Sequence, residues 1–265
     1  IGTLNTQDKS FLFNMSDALQ SRFSYVEIDI PSRKLWEKEI YYAFKNAVEE
    51  LGIDPSKVIK IDHSRKKVDR PTQVGNPHDF LISAKQAYDF LDTVRLFHKL
   101  GTAILKKVYQ IMLANYLLDV NTGKDALLST VSGLADKALD YALNSTFTPL
   151  LGGLTKPEIG AIIALHTEHG VKEYFKEARR DSNRQAYLEA FEKVLTKLEI
   201  KDKDKFCDMF ERGETIKDGD WDVIDSKHEK SNRLFIFSID IDSSGVPRMG
   251  AQGTKKSLED LKKTA

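Results

Sequence analysis

From residue 31 onward, apolar side chains return every three or four positions, and no other feature limits so sharply what the chain can become. Leu35, Trp36, Ile40, Ala43, Phe44, Ala47, Val48 and Leu51 trace one stripe of a helix. Gly52 supplies a stop and Pro55 follows. The period resumes over residues 80 to 100 and is broken at Gly101. It continues as a third helix over residues 102 to 118 and a fourth over 124 to 144. Pro149, Gly152, Gly153 and Pro157 mark a linker. Residues 158 to 199 then predict two more helices with a strongly charged outer face, and residues 200 to 212 a short one. The fold class expected is mainly α.

Strand signals are few. Tyr25-Val26-Glu27-Ile28-Asp29-Ile30 alternates in the strand manner until Pro31 stops it. Residues 56 to 78 hold Arg65, Lys66, Lys67 and Arg70 with two prolines, and predict an exposed loop or short element. Residues 213 to 232 are polar and rich in Gly and Asp. Leu234-Phe235-Ile236-Phe237-Ser238-Ile239 is the strong strand candidate of the C-terminal half. Asp240-x-Asp242-x-Ser244-Gly245 resembles the first half of a calcium loop, but its twelfth position is Ala251, so a hairpin turn is expected. The Lys-rich tail after Gly253 reads as helical or frayed.

Composition narrows the function classes. Lys and Arg number 40 against 40 Asp and Glu, so net charge gives no support for a nucleic-acid partner. The basic cluster around Arg65 lacks interleaved aromatics, which favours an exposed loop over a nucleic-acid surface. Cys207 is the single cysteine, which excludes a disulfide framework within the chain and points to a cytoplasmic origin. Its neighbours suit a small buried hydrophobe better than a reactive thiol. The sequence has no run of about 18 apolar residues, so no membrane span is expected. His166-Thr167-Glu168-His169 lacks the spacing of a zinc helix and reads as a solvated helix end; no metal site is expected. The chain opens without Met on what reads as a strand end, and a fragment is expected.

Gly2-Thr3-Leu4-Asn5-Thr6-Gln7-Asp8-Lys9-Ser10, followed by Ser16-Asp17-Ala18-Leu19 and Arg22-Phe23, resembles one stretch of the AAA+ nucleoside triphosphatases. The similarity is to the branch holding the GTPase of modification-dependent restriction systems (McrB type) and the MoxR and dynein-related ATPases. That branch carries a G-T-M-N-T-x-D-R-S strand end, a D-x-A-L-R-R-R-F helix and then a strand. The match covers about the first 30 residues. A looser one, Val94-Arg95-Leu96-Phe97-His98-Lys99-Leu100-Gly101-Thr102-Ala103, resembles the lid of the same branch.

The resemblance implies roles for single residues. Asn5 falls on sensor 1, whose amide orients the attacking water and meets the γ-phosphate; read alone, it makes an Asx turn at a strand end. Arg22 falls on the arginine finger, a guanidinium offered to the neighbouring subunit's nucleotide; read alone, it is a surface arginine after a helix. Gln20-Ser21 stand where the family often has further arginines. Asp8 falls on an acidic position that meets water or a neighbouring subunit, with an N-cap or an ion pair to Lys9 as the plain alternative. For sensor 2, Gly101-Thr102-Ala103 resembles the turn that opens the lid helix, but Ile104 or Leu105 fills the expected basic position. Lys106 and Arg95, with Lys107, are the substitutes for contacting nucleotide; otherwise each is a solvated helix residue.

A phosphate-binding G-x-x-x-x-G-K-[ST] loop is missing, since Gly123-Lys124 is followed by Asp125, and no strand ends in Asp-Glu to hold Mg²⁺. The organisation expected is therefore the α/β edge of an AAA+ core over 1–31, a helical lid over 32–153, and an accessory helical module with a C-terminal strand over 154–265. The parent protein would use ATP or GTP with Mg²⁺ in a homo-oligomeric ring, in a restriction or defence system with an effector protein. This chain alone is expected to be inactive. The rival expectation is a non-catalytic helical protein–protein interaction module.

Overall fold

The first apolar stripe becomes helix α1 (Trp36–Leu51), after a short 3-10 turn (Arg33–Leu35). Ile40, Ala43, Phe44 and Ala47 are buried along its inner face, and Gly52 ends it at φ 62° with its amide on the Val48 carbonyl. A residue with a side chain resists that left-handed conformation. In the computed structural model, residues 30–56, 58–69, 78–122, 131–214, 216–231, 235–237, 240–241, 247–248 and 250–265 are described. Pro31–Ala265 is one compact unit.

The basic stretch after α1 is a hairpin. Strands β1 (Lys60–Asp62) and β2 (Lys67–Asp69) pair antiparallel with Ile61 opposite Val68, and both of these pack on the core. Three long helices follow: α2 (His78–Val94), α3 (Thr102–Thr122) and α4 (Val131–Phe147). With α1 they enclose the first hydrophobic core. At its centre Phe44 stacks on Tyr109, rings 3.8 Å apart and 10° from parallel. Burying a side chain of that size contributes about 1.5–3 kcal/mol, and the ring pair about 0.5–1.5 more.

The predicted linker shortens to a 3-10 turn (Thr148–Leu150) and a few residues, because Pro157 lies inside the first turn of α5 (Lys156–Leu165). Proline is tolerated there since its missing N–H would have no helical partner. Thr155 and Glu158 cap that end reciprocally. Where two helices were expected there are three: α5, α6 (Gly170–Ala178) and α7 (Arg184–Lys197). His169 at φ 54° makes the first break. Gly170 follows so close to α5 that a Cβ would strike the Ala164 backbone. Helix α8 (Lys203–Glu211) fits the short element foreseen, whereas α9 (Asp218–Ser231) forms within a stretch that reads as polar loop. Trp221, Ile224 and His228 are its buried residues, at spacings of three and four.

Helices α6 to α9 surround a second core of Phe175, Phe191, Phe210 and Trp221. Helix α5 serves both: Ile159 and Ile162 belong to the first, Ala161, Ala164 and Leu165 to the second. Ile236 and Phe237, expected in a strand, lie in a buried turn whose Phe237 amide donates to the His166 carbonyl at 3.0 Å. Strands β3 (Asp240–Ile241) and β4 (Pro247–Arg248) pair antiparallel, and the residues of the expected hairpin turn between them lie outside the described ones. Helix α10 (Gln252–Thr264) closes the chain against α4 and α5. The fold is thus mainly α. Among the described residues no helix is long and apolar enough to cross a membrane.

Candidate functional site

Charge turns inward at the foot of the first helical stripe. Glu39 lies on the inner face of α1 and is buried. Its carboxylate accepts from Arg95 Nη1 at 3.0 Å, Arg95 Nη2 at 2.6 Å and the Thr102 hydroxyl at 2.8 Å. Arg95 follows the end of α2, and its Nε donates to the Leu100 carbonyl at 2.8 Å. One carboxylate therefore ties α1, the end of α2 and the start of α3. The bidentate fork suits a planar guanidinium and would be lost with lysine.

The ionic strip continues along α2 at three-residue spacing. Asp92 Oδ2 takes Lys197 Nζ of α7 at 2.5 Å, with side chains 15% and 6% exposed, and Arg33 Nε at 3.4 Å. Burial pushes the Lys197 ammonium down from its ordinary value, against the pull of Asp92. Asp89 stands one turn back on the same helix. Desolvation raises its carboxyl to about 6, with Lys197 opposing and Asp92 assisting. Tyr88 feels the same set: burial first, then Asp92 and Glu39, push its phenol above the ordinary range.

His166, at the end of α5, is buried between Phe90 (5.3 Å between ring centroids) and Phe237 (5.9 Å). The solvated helix end expected there is corrected at this residue: the aromatic rings of two remote elements cover it. Desolvation, then Lys197 and His228, hold its imidazole well below the ordinary histidine range. Its Nε2 has no hydrogen-bond partner among the described residues. His228 Nε2 donates to the Leu165 carbonyl at 2.8 Å.

Of the residues singled out in the sequence, Asn5, Asp8 and Arg22 lie outside the described residues. Arg95 is committed to Glu39, with its side chain 6% exposed. Lys106, on α3, donates to Glu50 at 2.6 Å, and Gln110 holds the other oxygen of that carboxylate at 2.7 Å. Lys106 is the more accessible of the two cations, its side chain 28% exposed. Cys207 is half-buried, and burial raises its thiol to about 11, which keeps it protonated at neutral pH. Among the described residues no group of His, Cys, Asp and Glu is arranged to hold a metal ion.

Sequence reasoning passed over Glu39, Asp89, Asp92 and Lys197. The spacing of Asp89, Asp92 and Arg95 was visible, but a charged stripe on a helix ordinarily faces water. Chemically the cluster balances carboxylates against cations across α1, α2, α3 and α7. That is the make-up of a joint rather than of a proton-transfer site. No protein-family model, curated protein or solved structure matches the chain.

Proposed function

We propose that this chain is the C-terminal part of an AAA+ nucleoside triphosphatase, supplying sensor 1, the arginine finger and a helical lid to a ring whose parent protein hydrolyses ATP or GTP with Mg²⁺. The observation that carries the reading is the joint spacing of Asn5, Asp8 and Arg22-Phe23 in the first 23 residues. The helical body that starts directly after Pro31 supports it, because a lid must be a self-supporting bundle next to the core. The ionic joint adds to that support. Arg33, three residues beyond Ile30, shares Asp92 with Lys197, so displacement of the chain at residue 33 would be felt at α2 and α7 together. On this reading Lys106 is the better placed lid contact for nucleotide, and Arg95 holds the lid's shape. The test is hydrolysis by the full-length protein. Arg22→Ala should abolish turnover while nucleotide binding persists; full turnover in that variant removes the finger and the reading with it.

The second reading is a helical interaction module without catalytic use. It is favoured by the engagement of both lid cations by acids of α1. Under it, no Arg22 or Asn5 variant of the full-length protein changes nucleotide hydrolysis.

A further inference from the structure

The hairpin of β1 and β2 gathers what the sequence keeps apart. Over residues 58–69, four cations (Lys60, Arg65, Lys66, Lys67) stand against two aspartates. One of the two, Asp62, is consumed by the turn: its carboxylate accepts from the Ser64 amide at 2.9 Å, the Ser64 hydroxyl at 2.6 Å and the Arg65 amide at 3.0 Å. Those bonds hold the Asp62 carboxyl below its usual range and fix the tip in one shape. Lys67 is taken by Glu37 at 2.9 Å. Asp69, the other aspartate, stands opposite Lys60 in the ladder; Lys66 makes no ion pair among the described residues, and Arg65, 77% exposed, reaches Asp62 only at 3.8 Å.

The missing aromatic comes from α1. Tyr42 is 41% exposed, unusual for a ring on a helix whose neighbouring residues are buried. Lys66 Nζ lies 5.9 Å from its ring centroid. Tyr41 braces it edge-on at 5.0 Å, and the Tyr41 hydroxyl meets His63 Nδ1 at 3.0 Å. Beside His63 runs an open groove of about 490 Å³ lined by Lys45, Val48, Ile59 and Lys60, with the carboxylates of Glu49 and Asp54 also on its wall. An exposed π-face, cations on either side and an adjoining groove are the parts that seat an unpaired base with its flanking phosphates.

We propose that the β1–β2 hairpin and Tyr42 form a contact surface for single-stranded nucleic acid, with a base stacked on Tyr42 and phosphates held by Arg65, Lys66 and Lys60. A single strand fits better than a duplex because stacking on Tyr42 needs a base face that is free. The reading is sequence-tolerant, since stacking on an aromatic ring accepts any base. It does not depend on nucleotide hydrolysis.

The test is anisotropy of a fluorescent oligothymidine titrated with the full chain at several salt concentrations. Wild type should bind with an affinity that falls as salt rises. Arg65→Gln with Lys66→Gln should weaken binding at least about tenfold and flatten the log–log salt slope by about 1.4, the share of two phosphates on a single strand. Tyr42→Ala should weaken binding about tenfold and leave that slope unchanged, and Tyr42→Phe should bind as wild type does. All three side chains are exposed, so melting temperatures should agree across the set. No binding by wild type, equal binding by all variants, or equal affinity for duplex overturns the proposal. Arg22→Ala should bind the oligonucleotide normally, which separates this outcome from the fate of the hydrolase reading.

Discussion

Asp140 of α4 holds the first turn of α10 through Thr254: its Oδ1 accepts from both the Thr254 amide and hydroxyl at 2.7 Å, and its backbone carbonyl accepts the same hydroxyl at 3.0 Å. Oδ2 takes the Gly253 amide at 2.9 Å. A carboxylate 113 residues away thus does the work of an N-cap that Ala251, the residue before the helix, cannot do.

Removing that carboxylate leaves the start of α10 with unpaired donors. Asp140→Ala should lower the unfolding free energy by about 1–3 kcal/mol, read from urea denaturation midpoints at constant m-value. Gly253→Ala should be damaging too, because a Cβ there would lie 2.8 Å from Asp140 Oδ2. A Gly253→Ala protein as stable as wild type would show that the contact is slack.

The two shifted groups near Lys197 pull the pH dependence in opposite directions. His166 has a folded pKa below its unfolded one, so stability is lost as pH falls below about 6.5, where only the unfolded chain takes the proton. Asp89 has a folded value of about 6, raised from 3.8, so its ionisation costs stability above about 6 and that cost fades as pH falls towards 4. Asp89→Asn should therefore stabilise the protein at pH 7 to 8. It should also be more acid-sensitive than wild type between about pH 6 and 4, because the His166 loss is no longer offset. Melting temperatures across that range decide it; parallel curves for the two proteins would refute the assignment.

The Glu39–Arg95 pair predicts a non-additive cycle. Either single replacement, Glu39→Leu or Arg95→Met, leaves a buried charge alone and should cost about 3–5 kcal/mol. Replacing both together, Glu39→Leu with Arg95→Met, should cost much less than the sum of the singles. Chemical denaturation of the four proteins measures the coupling, and an additive result would mean that the ions do not act as a pair.

The helical body was largely legible in the sequence where a stripe and a stop coincide. Helix α1 is the clear case, with its stripe from Leu35 to Leu51 and Gly52 beyond it. Helix α9 was not, because among its described residues Trp221, Ile224 and His228 are the buried ones, and the residues between them are mostly charged or polar, with Val223 exposed. Its signal was the spacing of those three, too few to outweigh the polar context. Ile236 and Phe237 are apolar because they are buried in a turn, a demand that looks the same in sequence as strand pairing. For the candidate site, the residues that resemble an AAA+ stretch were visible as a string, whereas the Glu39 joint was not. Glu39 and Arg95 are 56 positions apart, and only the packing of α1 against the segment that joins α2 to α3 brings the carboxylate to the guanidinium. His166 shows the same limit: the rings that dry it come from α2 and from residue 237.

Helix α5, claimed from both sides, has a consequence for how the molecule comes apart. Its backbone amides cannot open to solvent for one half alone, since turning Ile159 and Ile162 out also withdraws Ala161 and Leu165 from the opposite wall. Its slowest-exchanging amides should report the same opening energy as those at the centre of α3 and of α7, and a blow to either side should travel through ten residues to the other.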